Sequence, residues 1–217
     1  MKKFHIYVTA LAILAISAFT LKISPKSSAV DSANIDKGVY TVDTDASEVK
    51  WEGKKIAYGH YGTVKIASGS LDFDADGLAG GKFNLDMTTI KNDDIEDAEK
   101  NAKLIGHLKS DDFFSVENHP VSTFVITQTE ALDDDMYEIT GDLTIKGITH
   151  PVTFEAEVKE GNGVVSANAS MTFDRSKYDV KFQSGSFFEN LGDKAIYDDI
   201  EMEVMLVAKK GDGLVNK

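Results

Sequence analysis

The stretch that decides the fold is YEITGDLTIK, residues 137–146. Every second residue in it is apolar or glycine, namely Tyr137, Ile139, Gly141, Leu143 and Ile145. The residues between them are polar or charged. Because successive side chains of a β-strand point to opposite faces of the sheet, this pattern predicts a strand with one buried and one solvated face. Half-buried strands of this kind are typical of antiparallel sheets.

The same alternation recurs elsewhere, and we assign each recurrence to a strand. The clearest recurrences are residues 83–87, 152–158, 165–173 and 200–208. Turn-forming residues separate the strands at Asp76-Gly77, at 133–135, at Lys146-Gly147 and at 161–163. About eight strands with short connections are therefore predicted.

Residues 93–108 break the period of two and predict one helix. Their apolar residues Ile95, Ala98, Ala102 and Ile105 follow helical spacing. Acidic residues come first and lysines later, which is the order that the helix dipole favours. Strands with one apolar face must close into a barrel or pack as a sandwich, because an open sheet would expose that face and its edges. The pattern alone leaves both arrangements open.

The N-terminal residues have the order of an export signal. Lys2 and Lys3 precede the apolar run 6–21, and a polar stretch rich in Ser and Lys follows. We predict a signal peptide over residues 1–29, cleaved near Ala29, and hence a periplasmic or secreted protein. An uncleaved anchor is the alternative, because the run falls just short of the roughly 17–25 residues that span a bilayer.

The remainder of the chain has the size and composition of one globular domain, with 42% apolar and 27% charged residues in the whole sequence. We divide it into a linker at 30–37, a folded β-barrel or sandwich domain at 38–209 and a flexible tail at 210–217.

Charge and cysteine content exclude several classes of function. The formal net charge of −13 makes nucleic acid a poor partner, because phosphate binding needs clustered Lys and Arg. The chain has no cysteine, which excludes disulfides, thiolate metal sites and cysteine nucleophiles.

Scans for catalytic and metal-binding motifs return no convincing match. Residues 72–77 begin like a calcium loop, but Phe83 stands where the bidentate glutamate should be. The histidines at 60, 107, 119 and 150 are not at metal-ligand spacing. The acid pairs at 111–112 and 198–199 fit a solvated surface better than general acid–base catalysis. We predict no cofactor, no metal and no enzyme activity.

Six segments of the chain, taken in order, carry a family signature. They are Tyr40-Thr41-Val42-Asp43, Ser47-Glu48-Val49-Lys50-Trp51, His107-Leu108-Lys109-Ser110-Asp111-Asp112-Phe113-Phe114, His119-Pro120-Val121-Ser122-Thr123-Phe124, Gly141 to Val152, and Asp174-Arg175-Ser176-Lys177-Tyr178. Together they resemble the YceI-like family of lipid- or polyisoprenoid-binding, lipocalin-like proteins. The resemblance runs from about 38 to 208. It implies an all-β, eight-stranded antiparallel barrel with one inserted helix, which holds a long isoprenoid or related amphiphile in its lumen.

Two positions depart from the family pattern. Lys146 stands where the family commonly has His, and Asp179 stands where it commonly has Gly. If these positions touch the head group of the ligand, the ligand here differs from that of other members. An insertion at 187–191 also leaves the last loop hard to align.

The predicted ligand site is the lumen wall together with a cover at its mouth. The wall residues come from the apolar strand faces and are Phe83, Leu85, Phe124, Ile126, Leu143, Ile145, Phe154 and Phe173. The resemblance places Leu104, Leu108, Phe113 and Phe114 over the mouth. An error of one residue in register would turn any strand's set outward. The alternative role for each residue is core packing in a barrel filled by its own side chains.

The leading functional prediction is non-enzymatic binding, carriage or sequestration of a long apolar amphiphile, either an isoprenoid lipid or a quinone. One alternative is a lipid-modifying enzyme that uses His107 with Asp111 and Asp112 at the barrel mouth. Another is an interaction module that uses the acidic outer face. A homodimer is left open.

Overall fold

The structure is a computed structural model that describes residues 37–132 and 135–211. The predicted signal peptide at 1–29, residues 30–36 of the linker and residues 212–217 of the tail lie outside the described residues. Within the described ranges, no helix is both long enough and apolar enough to cross a membrane.

The described residues form nine strands and one α-helix. The strands are β1 (Gly38–Val42), β2 (Glu48–Lys55), β3 (Gly59–Phe73), β4 (Leu78–Asp86), β5 (Val121–Ala131), β6 (Met136–Ile145), β7 (Ile148–Gly161), β8 (Val164–Asp174) and β9 (Ile196–Lys210). The helix, α1, covers Ala98–Lys109 between β4 and β5, and short 3-10 turns cover Met87–Thr89, Arg175–Tyr178 and Gly192–Lys194. β9 extends one residue past the domain boundary predicted at 209.

The strands form one antiparallel sheet that closes on itself. The order is β1-β3-β2-β9-β8-β7-β6-β5-β4, and the pairing of β3 with β4 completes the circle. β1 and β2 share one position between β3 and β9, since both pair with these two strands. Between them, the Ser47 hydroxyl donates to Asp43 O at 2.7 Å and accepts from Val207 N at 3.0 Å. The barrel therefore has eight strand positions, which confirms the predicted fold class.

The two ends of the barrel differ in their connections. At one end, which we call the mouth end, the connections are 56–58, 87–120, Lys146-Gly147 and 175–195. At the other, which we call the closed end, lie the turns that follow β3, β5 and β7. The first and last described strands also meet at the closed end, where Gly211 N donates to Val39 O at 3.1 Å.

The alternation in residues 137–146 is confirmed, because Tyr137, Ile139, Gly141, Leu143 and Ile145 are all buried. Gly141 is needed for packing inside the barrel. A Cβ there would come within 2.3 Å of the Phe124 ring, which lies against this point of β6. Tyr40, Val165 and Ala208 expose none of their surface and fill the closed end.

The helix begins later than predicted, at Ala98 rather than at 93. Asp97 caps it, and its carboxylate accepts from Lys100 N at 2.9 Å. Asp94 lies in the preceding loop, where its carboxylate accepts from Tyr61 N at 3.0 Å. Part of the acidic run expected in the first helical turn therefore lies outside the helix and binds the start of β3.

The barrel wall has a split between β7 and β8 on the side of the mouth. Their pairing ends at Ala156 and Ala169, although each strand continues to pair with its other neighbour. Pro151 lies in the part of β7 that does not pair with β8. Its lack of an N–H therefore costs no hydrogen bond between these two strands. Tyr178, in the turn after β8, meets the His150 ring at 5.3 Å and so links the two sides.

Candidate functional site

An apolar cavity occupies the barrel between the packed closed end and α1. Its volume is ≈ 290 Å³, and inward-facing residues from all eight strand positions line it. The floor includes Leu71, Leu78 and Val158, which are almost fully buried. The wall reaches the β2–β3 hairpin at Tyr58, which is 55% exposed, so the cavity extends to the mouth.

All twelve predicted site residues lie on the wall of this cavity. The eight on strands are Phe83, Leu85, Phe124, Ile126, Leu143, Ile145, Phe154 and Phe173, and the four at the mouth are Leu104, Leu108, Phe113 and Phe114. Every strand concerned therefore has the register that the period of two predicts. That these residues contact a ligand stays a prediction.

Sequence reasoning missed a further part of the wall. The missed residues include Trp51, Met171, Phe182, Ile200, Met202 and Val204. The residues on β8 and β9 belong to stretches whose alternation was visible, so a complete reading of those faces would have found them. Phe182 lies in a loop without any period, and no local signal marks it.

The mouth is covered by α1 and the two loops that pack against it. Leu104, Ile105 and Leu108 contact an apolar cluster that includes Phe113 and Val180. The helix thus buries a different face from the one expected, because its two alanines at 98 and 102 are exposed.

Two histidine–aspartate pairs lie at the mouth. His107 Nε2 is 3.1 Å from Asp112 Oδ2, and its ring packs edge-on against Phe113 at 4.9 Å. His60 Nδ1 is 2.8 Å from Asp94 Oδ2. Burial alone would raise the pKa of Asp94, but the hydrogen bonds that its carboxylate accepts outweigh burial and hold this pKa below its ordinary value.

The acid pair at 111–112 does not act as one unit. Asp112 faces His107, whereas Asp111 accepts a hydrogen bond from the Ser115 hydroxyl. The nearby Ser110 hydroxyl donates to the backbone carbonyl of His107 at 2.8 Å and is therefore not directed at the imidazole. Within residues 37–132 and 135–211, no group of three or more His, Asp or Glu side chains is arranged to hold a metal ion.

Arg175 holds the long connection between β8 and β9 in place. The side chain is 1% exposed, and its guanidinium donates to the carbonyls of Val180, Phe182, Ile196 and Tyr197 at 2.8–3.1 Å. Its Nη2 also lies 3.3 Å from Asp198 Oδ1. Burial lowers the pKa of Arg175, and the charge of Asp198 opposes this. One buried side chain thus positions Phe182 and Ile196 on the cavity wall.

Comparison with known protein families shows to which family the chain belongs. A sequence model of the YceI-like domain matches residues 40–208, which run from β1 almost to the end of β9. The chain belongs to the YceI-like family. The family resemblance read from the six sequence segments is thereby confirmed.

Individual YceI-like relatives agree with this assignment. Protein YceI of Escherichia coli (strain UMN026) is 38% identical over 98 residues, which are 45% of this chain and 48% of that protein. The chain thus spans about half the length of the curated relatives of this kind that it matches. Two solved structures share the fold. BcnA of Burkholderia cenocepacia has a TM-score of 0.64 and 22% identity, and the match covers 77% of this chain and 99% of BcnA. A polyisoprenoid binding domain from Saccharophagus degradans has a TM-score of 0.58 and 13% identity, and the match covers 79% of this chain and 98% of that domain.

The two departures from the YceI-like pattern contact each other. Lys146 Nζ donates to Asp179 O at 2.9 Å and lies 3.6 Å from the Asp179 carboxylate. Lys181 and, more weakly, Lys146 lower the pKa of Asp179. Neither Lys146 nor Asp179 lines the cavity. In this YceI-like chain Lys146 and Asp179 therefore form an ion pair between the β6–β7 turn and the β8–β9 connection.

Proposed function

We propose that this YceI-like barrel binds an apolar amphiphile, such as an isoprenoid lipid or a quinone, and carries or sequesters it without chemical change. The observation that carries the proposal is the ≈ 290 Å³ apolar cavity inside the barrel. The relative from Saccharophagus degradans, described as a polyisoprenoid binding domain, supports the ligand class. The export-signal pattern of residues 1–29 supports a periplasmic or secreted location.

The size of the cavity limits how the ligand sits. A cavity of roughly 150 Å³ admits a benzene-sized molecule, and ligand sites commonly span roughly 300–1,000 Å³. The ≈ 290 Å³ present here therefore accommodates a short apolar tail without rearrangement. A longer chain would extend past the mouth or require the wall to widen, and the split between β7 and β8 is the place where the fewest backbone bonds oppose widening.

The first test is mass spectrometry of lipids extracted from protein purified under native conditions. We expect an isoprenoid or quinone-like amphiphile at a fixed ratio to protein. Failure to recover any amphiphile from several preparations, together with no binding of added polyprenol, would contradict the proposal.

A second test uses a bulky residue on the wall. Leu143 is 5% exposed and lines the cavity, so Leu143→Trp should shorten the longest polyprenol that the protein binds. Thr153→Trp is the control, because residue 153 is exposed on the outer face of β7. Binding of a polyprenol length series, measured by fluorescence competition, reports the limit. An unchanged limit in a well-folded Leu143→Trp protein would show that this part of the wall does not face the ligand.

A lipid-modifying activity is the second candidate, favoured by the His107–Asp112 pair beside the cavity. The test is to incubate the unaltered protein and the His107→Ala variant with a lipid ester and to measure the products of each by mass spectrometry. Turnover that disappears in the variant would support an enzyme, whereas unaltered lipid in both proteins supports carriage alone.

A further inference from the structure

The exposed aromatic side chains of the described residues all lie at the mouth end. They are Tyr58, Tyr61, Phe187, Phe188 and Tyr197, each 50–55% exposed. The large apolar side chains exposed at the closed end are aliphatic, namely Val39, Leu132 and Val164. Apolar side chains that are gathered in one place, and not scattered singly, mark an interaction surface.

Four of these aromatic residues and one isoleucine form what we call the apolar rim. Its members are Ile56, Tyr58, Phe187, Phe188 and Tyr197. The β2–β3 hairpin supplies Ile56 and Tyr58, the connection before β9 supplies Phe187 and Phe188, and Tyr197 lies at the start of β9. Lys55 joins the loops, since its Nζ lies 5.6 Å from the Tyr58 ring and 3.4 Å from Gln183 Oε1.

Backbone contacts hold the second loop beside the start of β9. The amides of Phe187 and Phe188 donate to Ser184 O at 3.2 and 3.0 Å. Ser184 in turn forms a bridge with Ile196, the neighbour of Tyr197. These contacts hold the loops that carry the rim side by side at the mouth.

Cations are interleaved with the rim. The Lys181 ammonium lies 4.9 Å from the Phe187 ring while it pairs with the Asp179 carboxylate, and Lys55 lies beside Tyr58. The hairpin residues 53–61 include two lysines and no acidic residue, in a chain whose net charge is −13. At a lipid interface, rings of this kind enter the acyl region while adjacent ammonium groups reach the phosphates. The hairpin side of the rim thus combines exposed apolar side chains with positive charge, which matches a bilayer surface.

We propose that the mouth end docks reversibly on a lipid bilayer through the apolar rim. Tyr58 belongs both to the rim and to the cavity wall, so docking places the opening of the cavity against the acyl chains. This proposal goes beyond ligand binding and does not require a bound ligand, because an empty barrel presents the same rim.

The absence of cysteine from the chain allows a direct test. Gly185→Cys, beside the rim, and Gly161→Cys, at the closed end, form a matched pair, because a Cβ at either position meets no atom within 4 Å. Each is labelled with an environment-sensitive dye in the chain without residues 1–29, which the sequence predicts to be removed on export, and titrated with phosphatidylcholine vesicles. We expect a blue shift and a several-fold rise in emission at position 185, and no change at 161.

Variants of the rim then identify the side chains that dock. Phe187→Ser with Phe188→Ser should raise the lipid concentration for half-maximal response by about tenfold, because two half-exposed rings no longer become buried. Ile56→Ser, in the other loop, should raise it by a smaller factor. Val39→Ser with Val164→Ser, at the closed end, should leave it unchanged. Circular dichroism checks that each variant is folded.

Three outcomes overturn the proposal. The first is an equal response at positions 185 and 161, or none at 185. The second is an unchanged lipid dependence in the rim variants. The third is a response at 185 that appears without vesicles as protein concentration rises and that the rim variants abolish, because it would assign the rim to a second copy of the chain.

Discussion

The closed end and the mouth end of the barrel are stabilised in different ways. At the closed end, short turns join the strands, and Tyr40, Val165 and Ala208 leave no exposed surface. At the mouth end, the connections at 87–120 and 175–195 are long, and ordering them costs conformational entropy. Specific hydrogen bonds and ion pairs offset that cost. Apolar packing and short turns thus secure one end, whereas the end that carries the candidate site adds buried polar contacts to the apolar packing of α1, as expected for loops on a rigid scaffold.

The largest expected effect comes from removing the guanidinium that holds the 175–195 connection. Arg175→Met would leave the Asp198 carboxylate without its cation and the carbonyl of Val180 without a donor. Removing one partner of a buried pair costs about 3–5 kcal/mol. We expect the free energy of unfolding, measured in urea, to fall by this amount, and amide exchange to accelerate most in residues 180–196.

The double variant Arg175→Met with Asp198→Asn is the control, and it should recover part of the lost stability. Equal acceleration of amide exchange in β7 and β8 near the closed end would contradict the separate roles of the two ends.

Glycine-to-alanine substitutions should have opposite effects inside the barrel and on α1. Gly141→Ala places a methyl group 2.3 Å from the Phe124 ring, and overpacking of this kind costs about 1–3 kcal/mol. Gly106→Ala, in α1, meets no atom within 4 Å and should stabilise by up to about 1 kcal/mol, because alanine favours a helix. Thermal unfolding measures both. A Gly141→Ala protein that is as stable as the unaltered protein, or more stable, would show that the packing inside the barrel is looser than described.

Alkaline pH should weaken the mouth through Tyr178. Burial, with a smaller contribution from the Asp174 charge, raises the pKa of Tyr178 to about 12. A raised pKa gives stability that is complete below the unfolded value near 10 and is lost as pH rises toward 12. The loss is about 1 kcal/mol over the first pH unit above 10. Urea unfolding at pH 9 and pH 11 should show a smaller difference in Tyr178→Phe than in the unaltered protein.

Acid should weaken the loop before α1 by a smaller amount. The pKa of Asp94 is lowered, so its contribution is present above the unfolded value of about 3.9 and is lost as pH falls below it. Asp94→Asn should cost on the order of 1 kcal/mol at pH 7 and flatten the acid dependence of stability. Asp93→Asn, at an exposed neighbouring position, is the control. Equal effects of the two variants would rule out a specific role for the Asp94 contacts.

The strands and their inward faces were predictable from sequence, because a period of two over residues 137–146 has only one register that buries its apolar set. Closure was not predictable from this pattern. Closure depends on the pairing of β1 and β2 with β9, which lies at the other end of the domain sequence. The family resemblance supplied the closed eight-stranded barrel, but not the sharing of one strand position by β1 and β2. The twelve residues assigned to the cavity came from the same two sources.

The polar contacts that hold the 175–195 connection could not be predicted, because most of them join residues distant in sequence. The partners of Arg175 are carbonyls up to 22 residues away, in segments without a period. The ion pair of Lys146 with Asp179 spans 33 residues. The helix start was wrong because the charges at 93–97 fit a first helical turn, whereas Asp94 binds the start of β3 instead.

The meeting of β1 and β9 at the closed end has a practical consequence. Tyr40 pairs with Lys210, and Gly211 bonds to Val39, so both chain directions leave the barrel from the side opposite the mouth. A tag or fused protein joined directly to the barrel beside Val39 or Gly211 would be attached on the side opposite the opening. On a sensor chip, molecules captured by such a tag would all present the same face to the flowing solution.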